Sequence, residues 1–202
     1  MKSMILTASA TAALLLAGCQ DNEDLGQTPP VNAAQDVAST GVGMASAVVG
    51  GLRAETYVPA AHIADMYEIR AAEIALEKGQ DARVRELAQM IISDHRTMAS
   101  QIEAALPQAQ LEENVTLPEQ MDERRQGMID NLQAASADTF DLAYLHQQLA
   151  AHLEALTLHS EYAEAGDSEV LKPIAAQAAE KIEKHLAMVR EVGGEELEAM
   201  AN

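Results

Sequence analysis

The chain has 202 residues, with 32 acidic against 13 basic side chains, a formal net charge of −19, one Cys, one Phe, four Tyr and no Trp. A nucleic-acid partner is bound by clustered Lys and Arg and by stacked aromatics, so this composition argues against one. The 48% hydrophobic content includes 39 Ala residues, so much of it is helix-forming bulk, and the length allows one ordinary domain plus accessories.

Residues 1–18 read as a removable signal: Lys2 is the charged start, Ile5 to Leu16 an apolar stretch too short to span a bilayer, and Leu16-Ala17-Gly18-Cys19 its end. That tetrad looks like a bacterial lipobox, with cleavage before Cys19 and acylation of its sulfur and new amino terminus. An ordinary secretory signal with a stray Cys is the alternative. A lipidated Cys19 leaves neither a disulfide nor a thiolate metal site, and two or three acyl chains anchor a protein stably at a membrane. Gln20 in place of Asp resembles outer-membrane sorting, which implies a periplasm-facing lipoprotein. Residues 19–56 are rich in Gly, Pro, Asn, Gln and Ser and read as a flexible tether, with Val42 to Val49 as an alternative short docking segment.

Residues 57–192 read as an all-α domain, followed by a frayed carboxy terminus at 193–202. The first helix is expected at about 58–78, ending at Gly79, and the second at about 82–105, behind Asp81 as N-cap. Two residues of turn make these antiparallel neighbours. A third helix is expected from Pro118 to about residue 135, and Asp138 is expected to cap a fourth at about 139–165. Ser168 is expected to cap a fifth running to Val192, with Pro173 either kinking it or marking its true start. Apolar stripes run through the four long helices: Ile63, Met66, Ile69 and Leu76; Val84, Leu87, Ile91, Met98 and Ile102; Leu142, Leu145, Leu149, Leu153 and Leu156; Leu171, Ile174, Ala178, Ile182 and Val189. These predict a four-helix bundle. An 18-residue helix in the long connection spans roughly 27 Å, enough for the crossover of a ferritin-like bundle; a plain up-down bundle with an external helix is the alternative.

Polar residues interrupt the stripes near mid-helix. His152 and His185 take seam positions, His95 lies beside the second stripe, and Glu68 adjoins the first. Mid-helix residues meet at one level of a bundle, so one carboxylate and three imidazoles are expected to converge. That set suits a divalent transition metal such as Cu(II), Zn or Fe. The competing reading is a hydrogen-bonded layer that fixes register without metal. A standard di-iron centre is disfavoured, since the residues three before His95, His152 and His185 are Ile92, Leu149 and Ile182 rather than Glu. Met66, Met98 and Met188 lie three or four residues from His62, His95 and His185. As auxiliary ligands they would favour copper, particularly Cu(I); as plain core residues they fill gaps.

The chain resembles bacterial domain-of-unknown-function family 4142, outer-membrane or periplasmic proteins with a ferritin-like helical bundle. The match rests on Tyr57-Val58 with Ala60-Ala61, Met66-Tyr67-Glu68-Ile69, Val84 through Ala88-Gln89-Met90-Ile91 to Asp94-His95, Phe140-Asp141 with Tyr144-Leu145, His152, Leu171-Lys172 and His185-Leu186. The resemblance implies that Glu68, Asp94, His95, Asp141, Tyr144, His152 and His185 are recurrent polar positions, and it supplies no activity. Related periplasmic bundles with His and Met faces are associated with copper, which supports that metal by analogy. Asp141 lies 11 residues from His152 and reads as a cap or structural partner.

Two functions follow. One is a lipid-anchored bundle that binds or buffers a transition metal, copper first. The other is a non-enzymatic cell-envelope interaction or stress-related module, its polar layer purely structural, that binds a basic protein or cell-wall component. No Ser-His-Asp order, phosphate loop or Cys nucleophile marks an enzyme, and nothing in the sequence sets an oligomeric state.

Overall fold

The computed structural model describes residues 52–200. The signal, Cys19, the Val42 to Val49 segment and all but the end of the tether lie outside them. Five helices follow in order: α1 Ala54–Lys78, α2 Ala82–Ala105, α3 Glu123–Ala134, α4 Ala137–Ala165 and α5 Lys172–Met200. None is long and apolar enough to cross a membrane.

α1 and α2 form one antiparallel hairpin. Gly79 is needed at its turn because a Cβ there would lie 2.6 Å from the Ala75 carbonyl oxygen. Asp81 caps α2 through the Arg83 amide, as expected. The Asp141 carboxylate, at the start of α4, accepts from the Gln80 and Asp81 amides. That places the start of α2 beside the start of α4. At the opposite end Asp167, just past α4, accepts from the Ala54 amide at 2.8 Å. So α1 runs antiparallel to α4, and α2 runs parallel to it. The packing pairs are α1 with α2, α4 with α5, α1 with α4 and α2 with α5, which makes α2 and α4 diagonal partners. This is the crossover topology of a ferritin-like bundle rather than the up-down alternative.

The crossover helix is shorter than expected. α3 has 12 residues, about 18 Å, and Asp122 caps it by accepting from the Arg125 amide. Pro118 lies upstream in irregular chain, which supplies the rest of the span. Side chains pin α3 at both ends. Arg124 and Arg125 both bind the nearly buried Glu154 of α4, and the Lys78 amine donates to the carbonyls of Leu132, Gln133 and Ala135.

Other boundaries also shift. α1 begins within the expected tether, four residues before the expected start, because Asp167 caps it from across the bundle. Pro59 is therefore inside the helix. α4 begins behind Ser136, so Asp138 is a first-turn acid and not the cap. Pro173 stands at the second position of α5 after a turn in which the Ser168 carbonyl accepts from Leu171 and Lys172, the second of the two expected arrangements. Beyond Val192 the described chain is helical to Met200, interrupted at Gly194 with φ 52°, and Leu197 is buried. Gly193 and Gly194 allow this reversal: a Cβ on Gly193 would lie 2.7 Å from Leu197.

The inward faces differ from the expected stripes on three helices, at several positions on α1 and α4 and at one on α5. The stripe on α2 is buried throughout, with His95 within it. On α1, Ile63, Met66 and Ile69 are half-buried and Leu76 is exposed; Tyr57, Ala61, Ala64, Glu68, Ala71 and Ala75 face inward instead. On α4 only Leu145 of the five leucines is buried, and Phe140, Tyr144, Gln148, His152, His159 and Tyr162 form the seam. On α5, Ala175 replaces Ile174. Two large apolar clusters result, one around Tyr67, Leu87, Ile129, Leu132 and Phe140, the other around Tyr57, Leu106, Leu158, Tyr162 and Leu171. A polar layer separates them.

Candidate metal centre

α2, α4 and α5 each carry one histidine into this layer. His95, His152 and His185 are all about 1% exposed or less. One ring nitrogen from each lies within 4.8 Å of the other two. His152 Nε2 and His185 Nδ1 are 3.2 Å apart. The remaining nitrogen of each ring is held from outside. His95 Nδ1 lies 2.7 Å from Asp65 Oδ1, His152 Nδ1 3.0 Å from the Gln148 carbonyl oxygen, and His185 Nε2 3.0 Å from Asp94 Oδ2.

These acceptors assign the tautomers: each ring donates its N–H outward, which leaves His95 Nε2, His152 Nε2 and His185 Nδ1 as inward lone pairs. His95 Nε2 is buried with no hydrogen-bond partner. Two lone pairs facing each other at 3.2 Å repel unless a proton or a cation stands between them. For metal–nitrogen bonds of 2.0–2.1 Å in a tetrahedral site, the ligand atoms lie about 3.3 Å apart, close to the His152–His185 spacing.

Glu68 reaches the same level, but its Oε1 lies 3.3 Å from His152 Nδ1, on the outward side of that ring. It faces the back of a ligand rather than the inward nitrogens. Of the candidate thioethers, Met98 is buried, whereas Met66 and Met188 are half-buried, and Met188 packs against an apolar cluster. His159 is separate: its Nδ1 lies 2.8 Å from the Tyr57 hydroxyl, whose ring stacks on Tyr162.

Burial and charge set the protonation. Burial works against a charge on His95, but Asp65, with Glu68 and Asp94, outweighs it and raises the group. Burial also raises Asp65, so the pair holds one proton between them. His185 falls to about 4 through burial and the neighbouring His152, and His159 to about 3, mainly through burial. Burial opposes the Glu68 charge, yet His152 and His95 keep its carboxyl below the usual range.

Asp65 was not singled out in the sequence, although it lies three residues before Glu68 and so on the same face of α1. Gln148 was also missed; it stands one turn before His152 on the α4 seam. Around them, Asp65 Oδ2 and the Tyr144 hydroxyl are buried without hydrogen-bond partners, and Glu68 is met only loosely, its Oε1 3.3 Å from His152 Nδ1. Buried polar atoms without partners are unusual in a folded protein, which makes this layer the candidate site.

Fold and site together define a crossover four-helix bundle with a buried three-histidine centre backed by carboxylates. The chain belongs to the family described as domain of unknown function (DUF4142), whose match covers residues 41–192. No curated protein and no solved structure matches it.

Proposed function

We propose that this protein is a lipid-anchored envelope protein that binds a divalent transition metal, copper(II) first, between His95, His152 and His185. The observation that carries this reading is the set of three buried imidazoles, each with its outer nitrogen held by an acceptor and its inner nitrogen turned to a shared point. Charge supports a dication. Asp65 and Glu68 are buried carboxylates, Asp94 is neutralised by Lys181, and three neutral imidazoles add nothing, so a charge of +2 balances the layer. That balance favours Cu(II) or Zn(II) over Cu(I), and imidazole sites follow the Irving–Williams order, which ranks Cu(II) first. The complete enclosure of the centre fits holding or buffering an ion better than turning over a substrate. The lipobox at Cys19 supports placement at the outer membrane, facing the periplasm.

Protein loaded with Cu(II) and desalted is expected to retain about one ion per chain by elemental analysis, and His152→Ala to lose it. Retention in the triple variant His95→Ala/His152→Ala/His185→Ala would overturn the reading.

The short His152–His185 contact also favours a second reading, a metal-free polar layer in an interaction module, because one shared proton satisfies both nitrogens. In that case a chelator leaves the melting temperature unchanged, and a basic envelope partner is captured only at low salt.

A further inference from the structure

We infer that the metal exchanges through a port between α2 and α5, held closed by the Asp94–Lys181 ion pair; this rests on the three-histidine centre being a metal site. Of the residues that back the three rings, Asp94 alone reaches solvent. Along the bundle axis the two apolar clusters seal the layer on both sides. Toward α1, the Asp65 and Glu68 side chains are 3% and 1% exposed. Toward α4, His152 and Gln148 are fully buried. Toward the seam of α2 and α5, Asp94 is 25% and Lys181 35% exposed. Asp94 thus joins the centre to solvent: one carboxylate oxygen lies 3.0 Å from His185 Nε2, the other 2.7 Å from the Lys181 amine.

The chemistry of the three groups describes the passage. Lys181 precedes His185 by four residues and shares its face of α5. Its amine is strongly hydrated and sits on a flexible stem, so a half-exposed pair of this kind opens readily. Once it swings away, Asp94 offers a bare carboxylate to a cation at the mouth. The His185 ring then turns about its side-chain bonds, gives up Asp94 and meets the ion, which passes to His95 and His152 as the ring returns. Release is the reverse. Each step exchanges one ligand for another, and no electron is transferred. In the closed state the ammonium occupies Asp94 and repels an approaching cation.

The test is stopped-flow loading of the full chain with Cu(II), and release from the loaded chain at saturating chelator. Lys181→Met is expected to speed both by roughly tenfold, with the equilibrium Kd kept within about threefold, since a partly exposed ion pair is worth little. Lys184→Met carries the same charge change without touching Asp94, and is expected to leave both rates as they are. Adding Asp94→Asn to Lys181→Met is expected to abolish the faster loading. Stoichiometric Cu(II) with unchanged rates in Lys181→Met, or equal acceleration in Lys184→Met, overturns the port alone. A wild-type chain that retains no Cu(II) overturns the centre and the port together.

Discussion

Tyr144 shows how a single residue reports on the layer. Its ring packs in the core with Phe140, while its hydroxyl is buried without a partner, and burial together with the nearby Glu68 charge pushes its pKa well up. The hydroxyl has already lost water, so removing it should recover that cost. Tyr144→Phe is expected to leave the chelator-treated protein as stable as wild type or up to about 1 kcal/mol more stable in urea unfolding. A loss above about 1 kcal/mol would show that the hydroxyl has a partner in solution. His95 and Asp65 illustrate the opposite case. Each is buried and ionisable, and each is tolerated because it has the other.

Among the elements, α1 depends most on a distant residue. Arg53 occupies the N-cap position without a capping side-chain hydrogen bond, and the cap comes from Asp167, 113 residues beyond Ala54, which also accepts from the Tyr162 hydroxyl. Asp167→Ala is expected to cost about 1 kcal/mol, within the usual range for a lost cap, and to speed amide exchange in the first turn of α1. Unchanged exchange there would remove Asp167 from that role. The seams of α1 and α4 explain why hydrophobic periodicity misplaced their inward faces. Both bury Ala, aromatic and polar residues, and leave several large aliphatic side chains at the flanks, where Leu149, Leu153 and Leu156 pack against neighbouring clusters. A stripe search follows the aliphatics and so finds the flank. On α2, where the seam is aliphatic, the same search succeeds.

At the scale of the whole molecule, folding stability carries a pH dependence set by buried histidine. His159 stays neutral in the fold down to about pH 3, held so by burial and by repulsion from His95, whereas it protonates near 6.5 when unfolded. Its folded pKa is depressed, so its contribution is fully present above 6.5 and falls as pH drops toward 3. The slope is about 1.4 kcal/mol per pH unit once the unfolded group is protonated. His185, depressed to about 4, acts in the same direction, while the raised His95 acts in the opposite one. Subtraction isolates the term: with chelator present, the stability difference between wild type and His159→Gln is expected to change steadily between pH 6.5 and 4, wild type losing more. Parallel curves would mean that His159 is already charged in the folded protein.

By itself the sequence determined the number of long helices, the Asp81 cap, the tight α1–α2 turn, a connection long enough to cross the bundle, and three histidines at mid-helix. These are local properties: caps, breakers and chain length act within a few residues of where they are written. Because helix rise is constant, equal distances from the ends place His95, His152 and His185 at one level. Only the tertiary structure decided which nitrogen of each ring faces inward: Asp65 and Asp94 meet His95 and His185 across helix interfaces, and packing of the α4 seam turns His152 so that its outer nitrogen meets the Gln148 carbonyl of its own helix. It also placed Glu68 behind His152, extended α1 through the Asp167 cap and turned the polar seam of α4 to the centre. Each of these follows from partners brought together by packing, which no spacing along one helix encodes.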